Sequence, residues 1–379
     1  MSAAIIIGIK EINPSVFWLT MTNEIFTVLN VIRIFAVATM AFFVALFITP
    51  LWTKLLYRYK LGKQIVRSDT APIFSEMHKK KVGTPTAGGV IVWFTVLILA
   101  LLFFGVSRIW PDSYSANLNF LSREQTWVPL AALIVAAILG LIDDLLGIMR
   151  IGPGGGGLKM RDRIIMYALV GAGGAWWFYY KLGFDFINIP FLGDWVIGWL
   201  YIPFFIFVIV ASAFSSNETD GLDGLAAGVF LTMFGAYAAI AFDQGKIDLA
   251  IFLSATMGAL VAFLWFNIYP AKFFMGDTGS MALGTMLGVV AMLTNTPLLL
   301  IPIAVVFIME SGSVILQLTS KKLRGKKIFL SAPVHHHFEA IGWPEMQVTM
   351  RFWMINAIGA IIGLIIFLVD SKIPPISFF

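Results

Sequence analysis

Cysteine is absent from the chain. That excludes disulfide bridges, thiolate metal sites and cysteine nucleophiles, and leaves the redox compartment open. Charge is scarce too. Asp, Glu, Lys and Arg supply 12% of the 379 residues, about half the share of a soluble domain. Histidine occurs only four times, as His78 and as the consecutive His335, His336 and His337. Residues 1–20 lack the basic start and small-residue cleavage site of a secretory leader, and Ile5, Ile6, Ile7, Phe17 and Trp18 make 1–24 read as an interfacial approach to a first membrane span.

What is abundant is hydrophobic side chain, at 59% of residues. It falls in continuous runs that do not alternate, which argues against a β-barrel, and each run is long enough to cross a bilayer as a helix. Ten spans are predicted, near 25–49, 87–107, 127–142, 163–180, 196–214, 224–242, 248–266, 279–294, 298–320 and 351–370. The chain therefore reads as an all-α polytopic membrane protein, with residues 1–379 a single integral membrane domain and no internal repeat.

Charge orients the spans. The loops 50–86, 143–163, 267–278 and 320–351 hold eight, four, one and six Lys or Arg, nineteen of the 26 in the chain. With 215–223 they all fall on one side. The positive-inside rule makes that side cytoplasmic and puts both termini outside, which in a bacterial inner membrane would be the periplasm. The net charge of +5 is thus a record of topology and does not point to nucleic acid. Every second span begins at the cytoplasmic side, so several helix N-termini converge there, a setting that favours phosphate.

Six stretches on that side carry candidate chemistry. Met275-Gly276-Asp277-Thr278-Gly279-Ser280-Met281 is polar, glycine-rich and set between apolar runs, and Asp277 stands where a helix starts. A capping role and a ligand role both suit it. Lys79-Lys80-Lys81-Val82-Gly83-Thr84-Pro85-Thr86 leads into the second span, with Thr84 expected as the cap and Pro85 in the first turn. It reads either as a basic membrane-surface loop or as an anion site. Asp143 and Asp144 close the third span, where the helix dipole and their mutual repulsion raise carboxyl pKa, as suits a base or metal ligand. A solvated helix end would tolerate them as well. The glycine-rich 152–157 segment that follows lacks the context of a nucleotide loop and reads as a flexible connection, with Arg161 and Arg163 beyond it as candidate phosphate ligands. Asn217-Glu218-Thr219-Asp220-Gly221-Leu222-Asp223-Gly224 packs three acids into eight residues, and a helical spacing would put Asp220 and Asp223 on one face. In Val334-His335-His336-His337-Phe338-Glu339, alternate histidines of an extended loop can point together, with phosphate contact, proton transfer and metal binding all open. Within the ninth span, Glu310 shares a face with Ser313 and Gln317. It pairs helices or takes part in chemistry.

Taken together, Gly83 to Gly89, Asp143-Asp144, Asn217 to Gly224, Phe274 to Gly279 and Pro333 to Glu339 resemble the phospho-N-acetylmuramoyl-pentapeptide transferase family, of the polyprenyl-phosphate N-acetylhexosamine-1-phosphate transferase superfamily. The pieces run in the family's order across about 50–370, and the triple-histidine loop is the most specific of them. The resemblance implies a bacterial inner-membrane enzyme of peptidoglycan synthesis with its active site at the cytoplasmic face. It would move phospho-MurNAc-pentapeptide from UDP to undecaprenyl phosphate with Mg²⁺, giving lipid I and UMP, and a homodimer is among its allowed states. A sister enzyme acting on UDP-GlcNAc and, more remotely, a secondary transporter are the alternatives. By resemblance Asp277 is the Mg²⁺ ligand, Asp143 and Asp144 flank the attacking lipid phosphate, and Asp143 is the preferred base. Lys81, Thr86, Asn217, Asp220, Asp223, Asn267, Phe274 and Gln317 would form the nucleoside side, with Phe274 stacked on uracil. His335 and His336 would approach the diphosphate or sugar, His336 with a catalytic part, and Gly276, His337 and Arg163 complete the substrate-binding set. Four positions depart from the family pattern: Gly147 and Arg163 replace lysines, Phe214 an Asn, and Glu218 an apolar residue. Arg150 and Lys159 are candidate replacements for the missing cation.

Overall fold

A computed structural model describes residues 14–62, 81, 83–152 and 156–372, with side chains from residue 26 onward. Ile5 to Ile7, His78 and most of the 63–82 basic loop lie outside the described residues. All ten expected runs are helical. They are α1 (Pro14–Arg58), α2 (Val90–Ile109), α3 (Trp127–Ile148), α4 (Met160–Trp176), α5 (Tyr201–Thr219), α6 (Leu225–Asp243), α7 (Ile247–Asn267) and α8 (Asp277–Leu293). The bent pair α9 (Leu300–Ile303) and α10 (Val305–Arg324), the short α11 (Val334–Ala340) and α12 (Glu345–Asp370) complete the set. One small hairpin, β1 (Phe186–Ile189) with β2 (Gly193–Val196), departs from the all-α expectation, with Ile187 opposite Trp195.

Seven of these helices are long and apolar enough to cross a membrane, and the bent pair makes an eighth. The chain is a multi-pass membrane protein. The two expected spans that fall outside this set each form a helix of only 17 residues, and the first is also charged. Helix α4 carries Arg161, Asp162 and Arg163 in its first turn. Helix α8 has 17 residues, about 25 Å at 1.5 Å per residue, against a hydrocarbon core of about 30 Å.

Helix α8 needs no lipid contact, because each of its residues is buried. It packs between α3 and α5. Small residues permit this. A Cβ on Gly140 of α3 would lie 2.2 Å from the carbonyl oxygen of Asp277, and one on Gly284 would lie 2.6 Å from Cβ of Ser216 on α5. Close backbone approach is the usual route to tight helix pairing where lipid removes the hydrophobic drive.

The α9–α10 bend is 86°. A break at membrane depth frees backbone groups that must find partners within the protein. Asn356 of α12 supplies them. Its Nδ2 donates to the Ile303 carbonyl at 3.2 Å and to Thr232 Oγ1 at 2.7 Å, and its Oδ1 accepts from the Val306 N–H at 3.3 Å.

Candidate active site

Four connections meet at one end of the bundle. The segment 83–89 is irregular, with positive φ at Gly83 and Ala87, and runs beside 274–275. Phe274 donates its N–H to the Pro85 carbonyl (2.8 Å), Gly88 to that of Phe274 (2.9 Å), and Gly89 to that of Met275 (2.8 Å). This pairing corrects the expected helix start at Thr84 and Pro85. With the Gly88 and Gly89 N–H groups committed to the neighbouring segment, the helix begins at Val90. A Cβ on Gly89 would lie 2.3 Å from Cα of Gly279, so no larger residue fits between the segment and α8.

The turn between α5 and α6 grips the same neighbour. Asp220 Oδ2 accepts the Gly276 N–H at 3.1 Å, and Asp223 Oδ2 accepts the Ala271 N–H at 2.9 Å. The spacing of three is not helical here, since α5 ends at Thr219 and α6 begins at Leu225. The two acids are aligned by the partner backbone, not by a helix face. Asn267 closes the loop, accepting from the Gly224 N–H (3.1 Å) and donating to the Phe273 carbonyl (2.8 Å).

At the centre sits a cation shared by two acids. Arg163 Nη2 lies 2.6 Å from Asp143 Oδ2 and 3.1 Å from Asp277 Oδ2. Its Nη1 donates to Asn217 Oδ1 at 3.3 Å, and Asn217 Nδ2 donates to Asp277 Oδ1 at 2.8 Å. Asp143 also accepts the Leu158 N–H at 2.6 Å, which ties the end of the glycine-rich connection to the site. Asp143, Asp144 and Asp277 are all buried. The one guanidinium offsets one of the two carboxylate charges, and the Asn217 amide and the Leu158 N–H supply hydrogen bonds to the remainder, as burial requires.

Asp144 has a different task. Its Oδ2 accepts the Thr278 N–H at 3.0 Å, and its Oδ1 accepts from Thr86 Oγ1 at 3.2 Å. It therefore caps α8 from another helix, which leaves both Asp277 oxygens turned toward Asn217 and Arg163. Gly276 has φ +74, and a Cβ there would fall 2.5 Å from Asp144 Oδ2 and 2.6 Å from Thr86 Oγ1. Only glycine suits that backbone and that space.

Beside this centre is a second cluster. Lys81 Nζ donates to Asp223 Oδ1 at 2.7 Å and to Glu345 Oε1, and it stands 5.7 Å from the centroid of the half-buried Phe274 ring. Glu345 was not anticipated, because a Glu opening a helix after Trp343-Pro344 is an ordinary N-terminal charge.

The histidines lie on helix α11, which corrects the extended reading. His335 and His336 are buried, with ring centroids 4.0 Å apart. His335 Nδ1 is 2.9 Å from Glu310 Oε2, and His336 Nδ1 is 2.7 Å from Glu339 Oε2. The His335 ring packs on the α5–α6 turn, where a Cβ on Gly221 would meet its Nε2 at 2.2 Å. His337 points elsewhere and accepts the Leu330 N–H at 3.3 Å. Gln317 is likewise occupied. It accepts the N–H groups of Ile328 and Phe329 and donates to the Phe329 carbonyl, so it fixes the segment ahead of the histidines. Arg161 is exposed beside Asp162, and Phe214 fills an apolar cluster with Tyr167, Ala213 and Met281 next to the acids.

Among the described residues, no three or more His, Asp or Glu side chains group closely enough to hold a metal ion unaided. Asp143 and Asp277 nonetheless converge on one cation position, held by the guanidinium of Arg163. One or two carboxylates completed by phosphate oxygens is the donor set that suits a small hard cation.

The molecule is thus a membrane bundle of apolar helices with a buried acid and arginine centre between its end loops. Residues 126–295, from α3 to the end of α8, match the family model described as Glycosyl transferase family 4. The relatives narrow the class. The chain is 36% identical over 330 residues to a phospho-N-acetylmuramoyl-pentapeptide-transferase of Geobacillus thermodenitrificans, covering 86% of this chain and 95% of that protein. It is 40% identical over 326 residues to the one from Clostridium novyi (85% and 93%), and 39% over 332 residues to the one from Lacticaseibacillus paracasei (86% and 96%). The chain belongs to the phospho-N-acetylmuramoyl-pentapeptide-transferase family.

Proposed function

We propose that this protein transfers phospho-MurNAc-pentapeptide from its UDP derivative to undecaprenyl phosphate, releasing UMP and forming lipid I for peptidoglycan synthesis. The observation that carries the reading is the convergence of Asp143 and Asp277 on one buried cation position in a chain of this family. The reaction joins a membrane-embedded phosphate to a water-soluble nucleotide, so its residues belong where helix ends meet loops. The site lies at such an end. Nineteen of 26 Lys and Arg in the loops on that side support a cytoplasmic face, periplasmic termini and a place in the bacterial inner membrane.

Asp277, with Asp143 beside it, would hold Mg²⁺, whose charge when bound offsets the diphosphate and the departing UMP. Arg163 must then turn from the acids, and its fork is suited to take phosphate oxygens in two parallel hydrogen bonds. Asp143 is the group placed to activate the lipid phosphate. Asp144 takes over the cap of α8, so the Asp277 carboxylate is turned toward Asn217 and Arg163 and not toward its own helix. Phe274 offers a half-buried ring face to the uracil, flanked by Lys81, Asp223 and Asn267. Thr86, Asn217, Asp220 and Gly276 shape the floor between that pocket and the acids. His335 and His336 close the sugar side on the α5–α6 turn, each oriented by a glutamate. Gln317 and His337 support the 328–330 segment beside them.

The test is to mix purified protein with undecaprenyl phosphate, UDP-MurNAc-pentapeptide and Mg²⁺ and to measure UMP. Release that disappears in Asp277→Asn, with the fold intact by circular dichroism, is expected. No release from the wild type, or release with UDP-GlcNAc instead, would overturn the reading.

A further inference from the structure

Three independent parts of the chain meet at Glu345. Its Oε1 accepts from Lys81 Nζ and from the Asp223 N–H (2.8 Å), and its side chain is 11% exposed. An acid in the first turn of a helix is ordinarily solvated and serves the dipole. This one is turned inward. The helix that carries it, α12, grips the same turn with two further side chains: Thr349 Oγ1 donates to the Asp223 carbonyl (3.3 Å) and Trp353 Nε1 to that of Gly224 (3.1 Å). Residues 345, 349 and 353 lie at steps of four, so a single face of α12 makes the attachment.

We infer that Glu345 is a positioning residue, which with Asp223 fixes the Lys81 ammonium beside the Phe274 ring and so pre-orders the pocket for a uridine nucleotide. The inference rests on the nucleoside reading of that pocket proposed above. An ammonium has three donors. Asp223 Oδ1 and Glu345 Oε1 take two in fixed directions, which aims the third and holds the cation 5.7 Å from the ring centroid. Lysine is a flexible point charge on a four-carbon stem, and with one acid missing it would sample several rotamers around Asp223. Holding it in place in the empty pocket removes that ordering cost from the binding step. Glu345 also accepts the Asp223 N–H, so the same oxygen ties the lysine to the turn that carries its other partner.

The experiment uses the full-length protein and UMP as probe. Glu345→Gln keeps the size and the acceptor for the Asp223 N–H but loses the charge. UMP binding by calorimetry should weaken about tenfold, in line with the loss of a charge-assisted contact. In the transferase assay, KM for the nucleotide sugar should rise by a similar factor, with kcat and the KM for undecaprenyl phosphate within about twofold of wild type. Glu345→Asp should recover part of the loss. A merely structural role would instead lower kcat and the melting temperature together and leave UMP affinity per folded molecule unchanged. Unchanged UMP affinity in Glu345→Gln overturns the inference and leaves the proposed reaction standing. A wild type that binds no UMP overturns the inference and the nucleoside pocket together. A wild type that binds UMP but releases none from substrate overturns the reaction alone.

Discussion

At the residue scale, Arg163 decides how the acids are balanced. Its guanidinium contacts Asp143, Asp277 and Asn217 at once. Arg163→Met leaves two buried carboxylates facing each other, which on known buried pairs costs roughly 3–5 kcal/mol. The melting temperature should fall clearly in detergent without divalent cation, and added Mg²⁺ should restore part of it by supplying the missing charge. Arg163→Lys should fall between, since an ammonium keeps the charge but lacks the second nitrogen that reaches Asn217 while the first contacts both acids. A melting temperature that Mg²⁺ leaves unmoved in Arg163→Met would refute the cation position. The acids themselves stood out in the sequence because several of them gather at apolar span ends on one side, although each alone also suits a cap or a solvated helix end. Their division of labour was not. Asp277 reads as its own helix's cap, yet the Thr278 N–H goes to Asp144, 134 residues away. No local pattern encodes a cap supplied by another helix. Gln317 and His337 were legible as polar residues near the site, but their satisfaction by the 328–330 backbone depends on a turn the sequence does not spell out.

At the scale of elements, the ten apolar runs were legible because length and hydropathy are read directly. The 86° break in the ninth run was not, and neither was its partner. The break survives because Asn356, fully buried, serves the Ile303 carbonyl, the Val306 N–H and Thr232 Oγ1. Asn356→Leu removes all three services while keeping the branched shape, at roughly 1–3 kcal/mol for each buried group left unpaired, to which the larger side chain adds overpacking. The expected result is a melting temperature lower by several degrees, together with reduced activity, because α10 carries Glu310 and through it orients His335. An unchanged melting temperature would mean that the bend is held by other contacts. The hairpin β1–β2 escaped the sequence reading for a simpler reason: strands of four residues carry too little periodic signal.

For the molecule as a whole, α8 is the central strut, and its two ends carry opposite charge as the helix dipole favours. Asp277 and Asp144 stand at its start. At its other end Lys246 Nζ donates to the Leu293 carbonyl (2.9 Å) and to Gln244 Oε1 (2.7 Å), while Gln244 Nε2 donates to the Thr294 carbonyl (2.8 Å). Burial pulls the Lys246 ammonium down from its ordinary 10.5 to about 8. Above about pH 8 the folded protein has released this proton while the unfolded chain, with its ordinary value of 10.5, still holds it. Stability at this position therefore rises with pH between about 8 and 10.5, and is flat below, where both states are protonated. Lys246→Met has no proton to release and should lose that part of the slope. Melting temperatures of the two proteins measured across this window should diverge in slope, with the wild type gaining as pH rises. Parallel curves would show that the lysine is as well hydrated in the folded protein as in the unfolded one. The strut would then be anchored at its acidic end alone.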